Sequence, residues 1–389
     1  MYDFETIVPE FGELSPMRRR LRQGGFPEDS ICYGVAEMKF PLLPDISAAV
    51  CHMANKGWLG YSAGYDEYYD AVCAWMSRRH SWSTSPEEIV TTYGVVQAIG
   101  ICVRAFTAPG DAVLIQMPVY NPFMSQIEGN GRKTVENRLV FDKKRYNIDF
   151  NDFEEKVKQN NIKMFILCSP HNPVGRVWSK NELKTMADIC EKYGVLVISD
   201  EIHNDIVYGG EHTVFSNISP YCAENCVVCT APSKTFNIPG LVTSNIVIKN
   251  KELRERFRAV QRREGEFINP VGVAACRAAY EKGDAWVDEM TRRIGKNMEI
   301  LESEIERLVP GAVMTKAEGT YLAWVDMGFL GVSDETMMNA IKTRGGLCVN
   351  PGYIYGEGGR GHIRINIGCP EKYVYEAVRR LAKGIEGAK

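Results

Sequence analysis

The chain has no long apolar run, no excess of one charge and no dense cysteine framework. Its longest uncharged stretch, Ile89 to Val103, ends at Arg104 and contains Gly94 and Gly100. That is too short to cross a bilayer comfortably and reads instead as a strand followed by a buried helix. Acidic residues number 49 and basic residues 46, a net charge of −3, which argues against a nucleic-acid or membrane surface. The twelve cysteines are scattered over 389 residues, unlike a small disulfide scaffold, so a reducing cytoplasm is expected. Cys226 and Cys229 form a CxxC in the apolar run CVVCT. With no second pair or nearby histidine, they read as a buried strand rather than a metal site. The opening MYDFETIVPEFGELSPMRRRLRQGG has no apolar segment of the kind a secretory signal needs. No internal repeat is visible.

What is present is an ordinary globular composition, 45% hydrophobic and 24% charged, in a chain long enough for a large domain and a smaller one. Short runs rich in β-branched residues, at Ala112–Gln116, Lys163–Cys168, Val195–Ser199, Cys226–Thr230 and Asn245–Ile248, read as buried parallel strands. Ser179 and Glu182 have capping-box spacing, and a helix runs from them towards Tyr193-Gly194. Alternating strand and helix predicts an α/β fold with a mainly parallel sheet. After about Asp284 the pattern changes. Trp286, Met290, Ile294, Leu301, Ile305 and Leu308 recur at helical spacing up to Pro310-Gly311. Strand-like pieces follow at Tyr321–Val325 and His362–Ile367, with a helix between them and another at the C-terminus. These runs predict a large domain over 48–284 and a small α+β domain over 285–389; residues 1–47 are expected to form an N-terminal arm and part of the small domain.

In an open parallel sheet, ligands bind beyond the carboxyl ends of the strands. Asp200 stands there, in SDEIHNDIVYG; a carboxylate at the end of an apolar strand needs a partner. A helix cap or structural ion pair would satisfy that need, and so would a protonated pyridine nitrogen. Lys234, in TAPSKTFNIPG, follows another such strand. Most lysines are solvated, but one in a dry site loses its proton more easily and becomes a nucleophile. In HIRINIG, alternation puts Ile363, Ile365 and Ile367 on one face and His362, Arg364 and Asn366 on the other. That arrangement suits an exposed strand face, or an arginine that clamps a carboxylate with two hydrogen bonds. Tyr93-Gly94-Val95-Val96 opens an apolar helix whose free amides suit a phosphate, and HNPVG is a turn-rich loop after a strand. The glycine-rich YGEGGRGH does not run from a strand into a helix, so it is discounted as a nucleotide loop.

Each piece is weak alone; their order is not. CSPHNPVGRVW, SDEIHNDIVYG, SKTFNIPGL and GHIRINIGCP resemble fold-type I pyridoxal-5′-phosphate (PLP) enzymes of the class I/II aminotransferase superfamily over nearly the whole chain after residue 33. The resemblance implies that Lys234 holds the cofactor covalently and moves the substrate's α-proton. Asp200 would pair with the pyridine nitrogen, Asn172 and His203 would approach the ring's phenolic oxygen, and Tyr120 would stack on the ring. Gly94, Val95 and Ser233 would surround the phosphate. Arg364 would bind the substrate carboxylate, beside Asn172. Tyr61 would reach the neighbouring subunit's phosphate, which implies a homodimer.

Within the superfamily, DEIHND with His203 and YGEGGRGHIRINIGCP look like the MalY/PatB-type cystathionine β-lyase (carbon–sulfur lyase) subgroup. The implied reaction is β-elimination from cystathionine or a related cysteine S-conjugate, giving a thiol, pyruvate and ammonia. A class I/II aminotransferase is the alternative; a non-enzymatic PLP-binding protein would need a lost catalytic residue or an added DNA-binding segment, and neither is visible. Two departures from the subgroup stand out. Ala36-Glu37-Met38-Lys39-Phe40 replaces a pattern like ADMDF, and the arm before it diverges. Val242, by contrast, occupies the place where many aminotransferases carry a phosphate-binding arginine; this fits the lyase subgroup better and leaves amides and hydroxyls to compensate at the phosphate.

Overall fold

The computed structural model describes residues 2–8, 15–142, 144–265 and 267–387. Of the N-terminal arm, residues 1 and 9–14 lie outside them. A seven-stranded sheet forms the centre. Its strands in chain order are β1 (Ile89–Thr92), β2 (Ala112–Met117), β3 (Lys133–Arg138), β4 (Met164–Cys168), β5 (Leu196–Asp200), β6 (Cys226–Thr230) and β7 (Ser244–Val247). Across the sheet they lie in the order β1-β7-β6-β5-β4-β2-β3. The ladders from β3 through β6 are parallel. Both faces are covered, so β1, β2, β4, β6 and β7 are buried along their whole length, as their unbroken apolar character requires.

The strand at β7 corrects one expectation: it pairs antiparallel to both β6 and β1. Between β6 and β7 the chain spends its residues on the short helix Pro232–Thr235 and the turn Pro239–Leu241. It never crosses to the other end of the sheet, so it re-enters from the end it left, and a parallel return would need a full crossover. The charged edge strand β3, KTVENR, was not legible as a strand at all. The helix Lys180–Tyr193 forms as expected, with the Ser179–Glu182 capping box and left-handed Gly194 at its end. The helix Val95–Phe106 follows β1, as the run Ile89 to Val103 suggested. Among the described residues, no helix is long and apolar enough to cross a membrane.

The long helix Asp284–Leu308 buries Trp286, Met290, Ile294, Leu301 and Ile305 and ends just before Pro310. A four-stranded sheet follows, built from β8 (Val313–Met314), β9 (Leu322–Asp326), β10 (Asn350–Pro351) and β11 (His362–Asn366) in the order β8-β9-β11-β10. The helix Asp334–Thr343 is inserted between β9 and β10, and the helix Glu371–Ile385 follows β11. The N-terminal arm joins this region through a short parallel pair, Ile31 opposite Leu347 and Cys32 opposite Cys348.

An aromatic cluster anchors the loop that carries Lys234. Phe236 is fully buried against Trp75, Tyr280 and Trp286, with ring centroids 5.6, 6.1 and 5.7 Å away. Removing such a side chain typically costs about 3–5 kcal/mol, so packing two residues downstream fixes where Lys234 can point. Thr235 adds a polar tie, donating to Asp205 Oδ2 at 2.7 Å.

Candidate active site

A cavity of about 430 Å³ opens where β4, β5 and β6 end, a size that suits a small ligand. Gly94, Val95, Tyr120, Asn172, Asp200, His203, Ser233, Lys234 and Arg364, all singled out in the sequence, line it together. Tyr61 does not. It is 87% exposed and stacks on Phe267 with ring centroids 5.3 Å apart.

Asp200 ends β5, only 4% exposed. Its carboxylate accepts one hydrogen bond, from the Ile202 amide at 3.1 Å. Burial pushes its pKa up to about 7, with the neighbouring Glu201 adding to the rise. Lys234 faces the same space. Burial lowers its pKa to about 8, helped by the positive Arg364, and Nζ donates to the Ala36 carbonyl at 2.8 Å. A deprotonated, nucleophilic amine is therefore accessible near neutral pH. Burial, with Lys234 and Arg364 nearby, lowers the His203 pKa to about 3, so its ring is neutral. Its Nδ1 is buried and has no partner among the described residues.

Arg364 sits on β11, not on an exposed face but buried. Nη1 donates to Asn172 Oδ1 at 3.1 Å and Nη2 to the Gly34 carbonyl at 2.8 Å. Its guanidinium lies over the Tyr355 ring, 5.1 Å from the centroid. Nε is buried and unpaired, which leaves a donor for a ligand and a cost if none comes.

At the far end, Gly94 caps the helix Val95–Phe106 with φ +153°, a conformation open mainly to glycine. A side-chain carbon there would meet no protein atom within 4 Å. The first-turn amides of that helix lack intrahelical acceptors. Val242 lines the same cavity and brings no charge to it.

The wall opposite the sheet is assembled from distant parts of the chain. Residues 34–38 are held through their backbone: Gly34 by Arg364, Val35 and Glu37 by the Asn366 amide, Ala36 by Lys234 and Tyr321, and Met38 by Asn237. Arg20, Asn350 and Tyr355 also line the cavity. Arg20 belongs to the polar run MRRRLRQ, and nothing local marks it as a site residue.

A buried ring nitrogen that carries a proton would satisfy Asp200. A phosphate would take up the amides beyond Gly94, and a carboxylate would take up Arg364 Nε. The residues present therefore fit a phosphorylated pyridine cofactor and an amino-acid substrate. No group of three or more His, Cys, Asp or Glu side chains among the described residues is arranged to hold a metal ion.

Comparison with known proteins leads to the same class. The model of the family "Aminotransferase class I and II" matches residues 34–381, and the chain belongs to that family. It is 40% identical to cystathionine beta-lyase PatB of Bacillus subtilis over 355 residues, covering 91% of this chain and 92% of that protein. It is 30% identical to protein MalY of Escherichia coli, with both chains covered in full. Among solved structures it superposes on cystalysin of Treponema denticola, which contains a pyridoxal 5′-phosphate cofactor. The TM-score is 0.96 at 36% identity, with both chains fully covered.

Proposed function

We propose that this chain is a PLP-dependent carbon–sulfur β-lyase that cleaves cystathionine or a related cysteine S-conjugate to a thiol, pyruvate and ammonia. The observation that carries the reading is one cavity holding a nearly unpartnered buried carboxylate, Asp200, a lysine with a depressed pKa, Lys234, and a buried guanidinium with a free donor, Arg364. Similarity to a cystathionine β-lyase at 40% identity supports the reaction type.

In this reading Lys234 holds the cofactor covalently, Asp200 faces the ring nitrogen, and Asn172 and neutral His203 face the phenolic oxygen. Tyr120 covers the ring. Gly94, Val95 and Ser233 seat the phosphate by amides and a hydroxyl, without the arginine that Val242 replaces. Arg364, beside Asn172, clamps the substrate's α-carboxylate. Bound here, PLP would supply an acceptor for the electron pair left on Cα when its proton is removed. Lys234 Nζ, displaced by the substrate's amine, is then free to take that proton, and the Ala36 carbonyl orients the amine. The proton on Lys234 is then available to the thiolate that leaves Cβ. Loss of ammonia with uptake of one water completes pyruvate.

An aminotransferase would use the same lysine and arginine but would need a keto acid to accept the amino group. With L-cystathionine and no keto acid, the protein is expected to release pyruvate and thiol in equal amounts over many turnovers. Pyruvate that never exceeds the number of active sites would overturn the lyase reading.

The same reading divides the chain into an arm at 1–47, a cofactor domain at 48–284 and a small domain at 285–389. It also makes the protein a homodimer. Trp58, Leu59, Tyr61 and Phe267 are exposed large apolar or aromatic residues, a surface that calls for a partner, and Tyr61 would reach the partner's phosphate. Twelve free cysteines suit a reducing cytoplasm.

A further inference from the structure

We propose that Arg20 reads a second carboxylate on the substrate, beyond the sulfur, so that the preferred thioethers release a thiol bearing a carboxylate. Which bond breaks rests on the lyase reading; the second anionic group rests on the place of Arg20 in the cavity and on its neutral partners.

Three cationic side chains line that cavity, Arg20, Lys234 and Arg364, against one carboxylate, Asp200. The proposed chemistry uses all but one. Asp200 is committed to the cofactor's ring nitrogen, Lys234 to the cofactor's carbonyl carbon, and Arg364 to the α-carboxylate. Arg20 is left over. No carboxylate pairs with it among the described residues. Its partners are neutral: Nη1 donates to Asn350 Oδ1 at 2.6 Å and Nη2 to the Val349 carbonyl at 3.3 Å. A guanidinium carries five N–H donors, so most of the fork remains open. A half-buried guanidinium with open donors is well placed to take a ligand carboxylate.

The group is also held in place. Asn350 takes Arg20 on its oxygen and gives its amide to Tyr355 Oη at 3.0 Å, and the Tyr355 ring lies against Arg364. The two arginines abut the same residue. The Gly34 carbonyl accepts from Arg364, and a side-chain carbon on Gly34 would stand 2.7 Å from Arg20 Nη1. Both guanidinium groups are therefore within reach of one small substrate, Arg364 for the amino-acid end and Arg20 for the far end. A neutral alkyl thioether would leave Arg20 unpaired; an acidic one would not.

The test compares S-(2-carboxyethyl)-L-cysteine with its near-isosteric amide, S-(2-carbamoylethyl)-L-cysteine, in the PLP-loaded wild type and in Arg20→Met and Arg20→Lys. Wild type is expected to favour the acid about ten- to hundredfold in kcat/KM, the range a charge-assisted hydrogen bond supplies, mainly through KM. Arg20→Met brings the acid-to-amide ratio near one, and Arg20→Lys restores part of it. A purely structural arginine would lower both substrates together and leave the ratio unmoved. Equal use of acid and amide by wild type, or a preference that survives Arg20→Met, overturns the proposal. Titrating the cofactor's absorbance with the same pair separates the two readings. Tighter binding of the acid without pyruvate from either compound would sink the lyase reading and keep Arg20 as an anion reader. No response to either compound would overturn the Arg20 assignment.

Discussion

On the central-sheet side of the cleft, Asn172, Asp200 and Lys234 each stand at or within a few residues of the end of a buried strand. On the opposite side, Arg20 meets Asn350, and Arg364 meets Gly34, across 330 positions of sequence in both cases. The first wall is local: a strand ends, its last residue or the next turn faces the cleft, and a short motif records the whole arrangement. The second wall is tertiary: it exists only once the N-terminal arm has paired with the Leu347–Cys348 strand. The difference suggests a division of labour, with reaction chemistry on the sheet wall and recognition on the assembled wall.

The largest expected effect is on the sheet wall. Lys234→Ala should lower turnover by about 10³-fold or more, because in the proposed mechanism it removes both the anchor and the proton carrier. Pyruvate release checks the rate, and loss of the cofactor on gel filtration checks the anchor. Asp200→Asn should lower kcat by roughly 10²–10³-fold, the scale of one misplaced charge in a dry site, with little change in KM.

Asp200 also carries a stability signature. Its native pKa is raised from 3.8 to about 7, so between those values the folded protein holds a proton that the unfolded chain has released. This group's contribution to stability therefore falls as pH rises from about 4 to 7. Thermal melts of cofactor-free Asp200→Asn should run above wild type at pH 8, and the gain should vanish towards pH 4. The opposite trend would mean that the carboxylate has a cationic partner even without cofactor.

On the assembled wall the effects should be smaller and fall on KM. Arg364→Lys keeps the charge but loses the fork, and should raise KM for the amino acid about 10- to 100-fold. Smallest is Gly34→Ala, whose new carbon would crowd Arg20 Nη1 at 2.7 Å and Asn350 Oδ1 at 2.8 Å. A few-fold rise in KM for acidic thioethers is expected, with kcat nearly unchanged. If Gly34→Ala instead lowered kcat sharply, the two walls would not be separable.

The same contrast explains what the sequence revealed. Strands β2, β4, β5 and β6 were visible because both faces are buried, and Asp200 and Lys234 because they sit beside such strands. Arg364 is visible through the alternation of HIRINIG, but its burial is not, because Gly34 and Asn172, which close over it, are far away in sequence. Arg20 was invisible: in MRRRLRQ it looks like its exposed neighbours Arg18 and Arg19. The direction of β7 is not legible, because burial reports an apolar strand and not which way it runs.

The most direct test of the division of labour is exchange of the α-hydrogen of L-alanine, which has no leaving group, into D₂O by the PLP-loaded protein. Followed by proton NMR at saturating alanine, wild type and Arg364→Lys should exchange at rates within a few-fold of each other. Lys234→Ala, loaded with cofactor, should bind alanine and leave its α-hydrogen in place. Exchange at the wild-type rate by Lys234→Ala, or its loss in Arg364→Lys at saturation, would contradict the account.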